Sequence, residues 1–126
     1  MNHPKRILLV EDDPAMRAMV AAFLGSTDCE ITEADNVSVA MHELSNGKSF
    51  DVVIVDFWLG KNHAVSVMDL IASQSGSLPV IVISGGNGKM DLEKTEAISD
   101  VSGAIAFLQK PFRQADLIEV VTSLTK

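Results

Sequence analysis

Short apolar runs rich in valine and isoleucine alternate along this chain with segments of helical periodicity. The four clearest runs are residues 7–10, 52–55, 80–83 and 104–108. This alternation is typical of βαβ units, because neighbouring parallel strands need a crossover connection that is usually a helix. The pattern predicts an α/β fold with a parallel sheet and helices on both faces.

Five strands and five helices are expected. The strands are placed at residues 6–10, 30–34, 51–55, 80–83 and 104–108, and the helices at about 14–24, 36–44, 64–72, within 90–99 and from 114 onward. Asp13 and Pro14 suit the start of the first helix, and Gly25 its end. Asn46 and Gly47 suit a left-handed cap on the second helix. The polar second strand is expected at a sheet edge and the wholly apolar third strand at the centre.

The predicted helices carry apolar side chains at three- and four-residue spacing, as helices packed on a sheet do. These residues are Met16, Met19, Val20, Phe23 and Leu24 in the first helix, Val65, Met68, Ile71 and Ala72 in the third, and Leu117, Ile118, Val121 and Leu124 in the fifth. We interpret them as core residues, and the single cysteine, Cys29, as a small buried hydrophobe.

Length and charge exclude several classes of protein. The chain has 126 residues and a formal net charge of -7. One domain is expected for that length. An acidic chain is a poor partner for nucleic acid, which binds clustered Lys and Arg. No apolar run approaches the roughly 20 residues of a membrane span, and one cysteine suits a reducing compartment, so we predict a cytoplasmic protein without membrane contact.

Polar residues follow the predicted strands where the strands end. Glu11 and Asp12 follow the first strand, Asp56 the third and Ser84 the fourth, and Lys110 stands just past the fifth. The carboxyl ends of parallel strands share one edge of the sheet, where ligands of such folds bind. We therefore expect three carboxylates, a hydroxyl and an ammonium in one pocket.

The chemistry of these groups suits phosphoryl transfer. Three carboxylates in one pocket repel one another, and a divalent cation relieves the repulsion. Hard oxygen ligands that leave room for water and phosphate suit Mg²⁺ better than zinc or copper. Asp56, on a central strand, is the candidate nucleophile toward a phosphoryl group. Lys110 would add a point charge and Ser84 a hydroxyl donor.

Four motifs resemble those of the receiver domain of two-component response regulators, in the same order and over nearly the whole chain. They are ILLVEDDP at 7–14, VIVD at 53–56, VIS at 82–84 and FLQKPF at 107–112. The resemblance implies a CheY-like, flavodoxin-like (βα)5 fold, which is a doubly wound parallel sheet of five strands in the order 2-1-3-4-5 with helices on both faces. It also implies a single receiver domain over residues 1–126, with no output domain in this chain.

The resemblance assigns the acidic residues to phosphate and metal chemistry. Asp56 resembles the phosphoacceptor, which takes a phosphoryl group from a phosphohistidine. Asp12 and Asp56 look like direct Mg²⁺ ligands, joined by the backbone carbonyl of Trp58, and Glu11 looks like a residue that acts largely through water. Lys110 resembles the family's phosphate-contacting lysine.

A conformational switch is also implied by the resemblance. Ser84 resembles the switch hydroxyl and Phe107 the switch aromatic. Phosphorylation would draw Ser84 inward and let Phe107 turn into the vacated space, which changes the face formed by the fourth helix, fifth strand and fifth helix. The bond from Lys110 to Pro111 is expected to be cis.

The implied partners are proteins. A sensor histidine kinase or a histidine phosphotransfer protein would donate the phosphoryl group, and a downstream protein target would read it. A second copy of the chain, in a phosphorylation-dependent homodimer, is a further expected partner. On this interpretation the chain is a phosphoacceptor signalling domain with its own autophosphorylation and autodephosphorylation chemistry, and not an enzyme.

Departures from the family pattern leave an alternative open. Gly60 and Ala64 stand where receivers usually carry proline and glycine, so the loop after the third strand is expected to be unusual. The alternative is therefore a pseudo-receiver, which binds proteins but neither accepts nor transfers a phosphoryl group. A metal-dependent phosphohydrolase with an aspartyl nucleophile is a third class, but it needs a substrate-covering insert for which we find no segment.

Other polar features receive structural interpretations. His3, His42 and His63 lack metal-ligand spacing and are assigned surface or structural roles. The glycine-rich segment 85–88 lacks the GxxxxGK[ST] pattern of a phosphate-binding loop. Its backbone freedom predicts a mobile switch loop instead.

Trp58 and Gly86 stand at two positions that in the family tune the attack of water on the acyl phosphate. A bulky indole near Asp56 is expected to shield the phosphate. We predict that a phosphorylated Trp58→Asn variant loses phosphate faster than the parent chain, as followed by the decay of the phosphorylated fraction on phosphate-affinity gels. Equal or slower loss in the variant would refute the shielding role.

Overall fold

The computed structural model describes residues 4–46, 49–56, 58–59, 62–63, 67, 70–71, 73, 78–84 and 106–125. The strands are β1 (Lys5–Val10), β2 (Cys29–Ala34), β3 (Val52–Asp56), β4 (Trp58–Leu59), β5 (Asn62–His63), β6 (Val80–Ser84) and β7 (Ala106–Gln109). The helices are α1 (Pro14–Leu24), α2 (Val37–Ser45) and α3 (Gln114–Leu124). The predicted helix within 90–99 lies outside the described residues, as does most of the one at 64–72. Within the described ranges, no helix combines the length and apolar character needed to cross a bilayer.

Five strands form one parallel sheet in the order β2-β1-β3-β6-β7. Counted without the short β4 and β5, this is the order 2-1-3-4-5, so the prediction of a doubly wound, flavodoxin-like fold is confirmed. β2 lies at an edge of the sheet and β3 at its centre, as their polarity indicated. The stretch expected to be a loop after the third strand contains instead an antiparallel pair, in which Trp58 of β4 is the register partner of His63 of β5.

The sheet separates two apolar clusters, because successive side chains of a strand point to opposite faces. The α1/α3 cluster contains Ile7, Leu9, Val20, Leu24, Val52, Ile54, Ile81, Ile83, Leu108, Leu117 and Val121. The α2 cluster on the other face contains Leu8, Val10, Ala34, Ala40, Leu44, Val53, Val55, Val67, Ile71, Val80 and Val82. Alternate residues of β1, β3 and β6 enter opposite clusters, which explains why these strands are apolar on both faces.

Side chains cap the first turns of α1 and α2. The Oδ1 atoms of Asp13 and Asn36 each accept a backbone hydrogen bond of 2.9 Å from the helix that follows. α2 ends at Asn46, its C-cap, which has φ -94° and ψ 17° and is not left-handed. The left-handed residue of such a cap usually follows the C-cap, so the cap expected of the Asn46–Gly47 pair stays a prediction for Gly47. Gly47 lies outside the described residues.

Two side chains differ from their sequence-based interpretation. Cys29 is only half-buried, because it begins the edge strand β2, and its Sγ lies 2.9 Å from the Thr27 hydroxyl. Val67 is buried in the α2 cluster although the predicted apolar face of its helix did not include it. Ile71, which that face did include, is buried as expected. The other predicted members of the face lie outside the described residues; they are Val65, Met68 and Ala72.

We predict that Leu117→Ala lowers the free energy of unfolding by about 2–5 kcal/mol, because truncating a fully buried leucine leaves a cavity in the α1/α3 cluster. Glu119→Ala, at an exposed position of the same helix, is the matched control and should change stability by less than about 0.5 kcal/mol. Denaturant unfolding followed by circular dichroism measures both. Similar losses in the two variants would contradict the placement of α3 on the sheet.

Candidate functional site

Three chemically reactive side chains lie where strands of the main sheet end. Glu11 directly follows β1, Asp56 is the last residue of β3, and Lys110 directly follows β7. The backbone N–H of Glu11 donates to the Ala34 carbonyl at 2.9 Å. This bond extends the hydrogen bonding between β1 and β2 by one residue. The carboxyl edge predicted from the sequence therefore holds these residues.

The pleat of the strands turns the three side chains to one face. Each stands two residues after a member of the α1/α3 cluster; these members are Leu9, Ile54 and Leu108. Side chains two positions apart in a strand share a face of the sheet. The three side chains therefore lie just beyond the apolar core, on the face of the sheet that α1 and α3 cover.

The Lys110 ammonium joins two buried carboxyl groups. Its Nζ lies 2.9 Å from Asp56 Oδ2 and 3.3 Å from Glu11 Oε1. Only 1% of Glu11 and 6% of Asp56 is exposed. Solvent screens such a contact little, and removing the cation would leave acidic groups buried without their partner, which is costly.

The titration of Glu11 reflects this burial. Desolvation, the hydrogen bond to Asp56 and the negative charge of Asp56 raise the pKa of Glu11 to about 8, although Lys110 acts in the opposite direction. Glu11 is therefore a much weaker acid than a glutamate in water. Burial acts to lower the pKa of Lys110, but its contacts with Asp56 and Glu11 outweigh burial and raise it, so Lys110 stays an ammonium.

The donor set fits a hard divalent cation. Glu11, Asp12 and Asp56 each place a carboxylate oxygen within 4.8 Å of the others, and Asp12 is the exposed member of this group. Oε2 of Glu11 is buried without a hydrogen-bond partner in the described part of the chain, so a polar atom at the site is left for a ligand to satisfy. The group contains oxygen ligands alone, which Mg²⁺ prefers, and its solvent-facing side suits a cation that keeps several waters.

Two residues at the start of α1 hold the acidic segment in place. Asp13 caps α1, and its backbone carbonyl accepts from the N–H of Arg17 at 2.9 Å. The Arg17 side chain donates from Nη1 to the Glu11 carbonyl at 2.9 Å and from Nε to Glu33 Oε1 at 3.2 Å. Arg17 was not identified from the sequence. The available signal was that it is the single charged residue within α1.

The segment that carries Lys110 is anchored against the end of α1. The Lys110–Pro111 peptide bond is cis, as expected from the sequence. Phe112 packs edge-on against Phe23 with ring centroids 6.2 Å apart, and Gln114 Nε2 donates to the Phe23 carbonyl at 3.0 Å. α1 therefore contacts both sides of the site, with its first turn against the acidic segment and its last turn against the lysine segment.

The predicted switch residues lie on adjacent strands. Phe107 in β7 is half-buried against the α2 cluster, two residues before Gln109, which is the register partner of Ser84 at the end of β6. For Ser84 and Trp58 the structure describes the backbone alone, and Trp58 begins β4 two residues after Asp56. The roles of these residues stay predictions. Outside the described residues lie His3, Gly60, Ala64 and the segment 85–88.

The family model for the response regulator receiver domain matches residues 7–122 of this chain. The chain is similar to the transcription factor prr1 of Schizosaccharomyces pombe, with 31% identity over 117 residues, and to the regulatory protein VirG of Agrobacterium tumefaciens, with 33% identity over 109 residues. These matches cover 92% and 86% of this chain but 21% and 39% of the relatives. The chain thus spans about a fifth to two fifths of their length.

Solved structures show the same likeness. The crystal structure of NtrX from Brucella abortus matches with a TM-score of 0.85 at 28% identity, over 97% of this chain and 27% of that one. A family match over residues 7–122, carried on a parallel sheet of the order 2-1-3-4-5, settles the classification. This chain belongs to the response regulator receiver domain family of two-component signalling systems.

Proposed function

We propose that this chain is a phosphoacceptor in which Asp56 receives a phosphoryl group from a phosphohistidine on a partner protein. The observation that carries the proposal is the Lys110 ammonium 2.9 Å from the buried Asp56, with the carboxylates of Glu11 and Asp12 beside it. A carboxylate nucleophile, an adjacent cation and oxygen ligands for Mg²⁺ are the parts that phosphoryl transfer needs. Membership of the two-component family supports a sensor histidine kinase or a histidine phosphotransfer protein as the donor.

The proposed transfer forms one bond and breaks one. A carboxylate oxygen of Asp56 attacks phosphorus, and the new P–O bond gives an acyl phosphate. The P–N bond of the donor breaks, and its electron pair returns to the imidazole nitrogen. Asp56 ends a central strand, so its carboxylate is held in place for the attack. Lys110 contacts that carboxylate, and in the proposed transfer it would pair as a point charge with an oxygen of the incoming phosphoryl group.

Glu11, Asp12 and Asp56 are the residues we propose to hold Mg²⁺, together with the backbone carbonyl of Trp58. When bound, Mg²⁺ neutralises charge on the oxygens of the transferred phosphoryl group. Three features lessen the repulsion among these carboxyl groups. The pKa of Glu11 is raised to about 8, Asp56 is paired with Lys110, and Asp12 faces solvent.

We propose that Ser84 and Phe107 read the phosphorylated state. A phosphoryl group adds about 1.5 to 2 negative charges and new acceptor oxygens, to which the Ser84 hydroxyl would donate. Phe107 is half-buried, and it stands in β7 just before the Lys110 segment and α3. A change at Phe107 would alter the face formed by the predicted fourth helix, β7 and α3. Nearly complete switching needs roughly 5.5 kcal/mol of differential interaction, part of which a bound target can supply.

The remaining partners and the setting are also proposals. We propose a downstream protein target on that face and a phosphorylation-dependent homodimer, with the cytoplasm as the site of action. A single receiver domain over residues 1–126 stays a prediction.

The proposed function predicts that acetyl phosphate and Mg²⁺ add one phosphoryl group to the parent chain and none to Asp56→Asn, because the amide lacks the nucleophilic carboxylate. Intact-protein mass spectrometry measures the adduct. Asp28→Asn is the matched control. It changes an exposed aspartate just before β2, at the amino ends of the strands and away from the site, and should leave the adduct unchanged.

Two results would overturn the phosphoacceptor proposal. An adduct that persists in Asp56→Asn would place the acceptor elsewhere. A parent chain that is folded and binds Mg²⁺ but takes no phosphate from acetyl phosphate or a phosphorylated histidine protein would favour the pseudo-receiver alternative.

We predict that Mg²⁺ binds more tightly as the pH rises from about 6.5 to 8.5 and that binding near pH 7 releases a proton. The pKa of Glu11 is raised to about 8 in the metal-free protein, and a dication favours the ionised carboxylate. Calorimetry in buffers of different ionisation enthalpy counts the released proton. Glu11→Gln should bind Mg²⁺ more weakly and release no proton in this range, whereas Glu30→Gln, an exposed glutamate of β2, should behave as the parent does. Proton release that persists in Glu11→Gln would contradict the assignment.

A further inference from the structure

Arg17 connects the acidic segment to the neighbouring strand β2. Its guanidinium donates from Nη1 to the backbone carbonyl of Glu11 at 2.9 Å and from Nε to Glu33 Oε1 at 3.2 Å. The side chain is mostly covered, with 21% exposed, whereas Glu33 is 49% exposed. One planar cation therefore ties the backbone just after β1 to a side chain near the end of β2.

This contact completes a clamp on the backbone around Glu11. On its amino side, the Glu11 N–H donates to the Ala34 carbonyl at 2.9 Å. On its carboxyl side, the Glu11 carbonyl accepts from Arg17. The peptide unit that contains this carbonyl also contains the nitrogen of Asp12, and such units are planar. Arg17 therefore sets the direction in which the chain enters Asp12.

Asp12 is the member of the carboxylate group that most needs such help. Glu11 and Asp56 are buried, so packing restricts their side chains. Asp12 is exposed, so backbone direction rather than packing decides where its carboxylate lies. Asp13 is held separately, because its side chain caps α1 and its carbonyl accepts from the Arg17 N–H.

We propose that Arg17 is a positioning residue for the metal site, which it serves by holding the Glu11–Asp12 peptide so that the Asp12 carboxylate faces Asp56. This inference rests on the proposed function, because it assumes that the three carboxylates hold Mg²⁺. Glu33 holds the guanidinium in the plane from which it reaches the Glu11 carbonyl. In the described part of the chain, the Arg17 side chain donates to the Glu11 carbonyl and to Glu33 and makes no hydrogen bond to the three carboxylates proposed to hold Mg²⁺.

Positioning and charge predict opposite effects when Arg17 is changed. A cation near an acidic pocket repels Mg²⁺, so its removal would by charge alone tighten Mg²⁺ binding. Loss of positioning weakens binding instead. Lysine keeps the charge, but it lacks the planar fork with which arginine reaches the carbonyl and the carboxylate together.

The test measures Mg²⁺ affinity by calorimetry in the parent chain, Arg17→Lys, Arg17→Gln and Glu33→Gln. We expect roughly tenfold weaker binding for both Arg17 variants, the size typical of losing a residue that orients metal ligands, and a smaller loss for Glu33→Gln. The Mg²⁺ concentration for half-maximal phosphorylation should rise by the same factor, with the rate at saturating Mg²⁺ near that of the parent. Arg6→Lys, at an exposed arginine of β1 away from the site, is the control and should match the parent.

A second measurement, made without Mg²⁺, complements the affinity measurements. Amide hydrogen exchange at Glu11, whose N–H donates to the Ala34 carbonyl, should be faster in Arg17→Lys than in the parent, with exchange in β3 unchanged. Glu33→Gln leaves α1 intact, so it tests the same clamp if an Arg17 variant fails to fold.

The outcomes separate this inference from the proposed function. If the parent binds Mg²⁺ and accepts phosphate on Asp56 but Arg17→Lys and Arg17→Gln bind Mg²⁺ as tightly or more tightly, the positioning role is wrong and the phosphoacceptor proposal stands. If the parent neither binds Mg²⁺ nor accepts phosphate, the proposed function fails, and this inference fails with it.

Discussion

The contact of the Lys110 ammonium with the carboxyl groups of Glu11 and Asp56 is the constraint on which the rest of the structure depends. Two acidic side chains are almost wholly removed from water, which is costly unless a cation lies beside them, and this burial raises the pKa of Glu11 to about 8. The contact also requires that three strands end in register. A slip of one residue in β1 or β3 would turn the carboxyl group to the other face of the sheet and separate it from the lysine.

α1 links this buried pair to the rest of the domain. Its first turn holds the acidic segment through Asp13 and Arg17, and its last turn meets the lysine segment through Phe23. The two halves of the site are thus built on opposite ends of one helix.

Much of the fold could be predicted because its signals are local. Strands made of β-branched runs, a capping aspartate at position 13 and the spacing of apolar residues in α1 and α3 each depend on a few neighbouring residues. The predictions failed where distant packing decides. Val67 is buried by residues of the sheet, and Cys29 is half-exposed because its strand lies at an edge. The pairing of β4 with β5 could not be predicted, because these two-residue strands are too short to show an alternation of apolar and polar residues.

The sequence alone determined the strand order, through the family resemblance, and the identity of the polar residues at the strand ends. It could do so because residue type and spacing are properties of short segments. The tertiary structure alone decided that Lys110 sits between Glu11 and Asp56, which are 99 and 54 positions away in the chain. It likewise decided that Arg17 reaches the Glu11 carbonyl and that burial raises the pKa of Glu11 to about 8. Distances, burial and pKa values of this kind arise from strand register and the exclusion of water, which involve the whole chain at once.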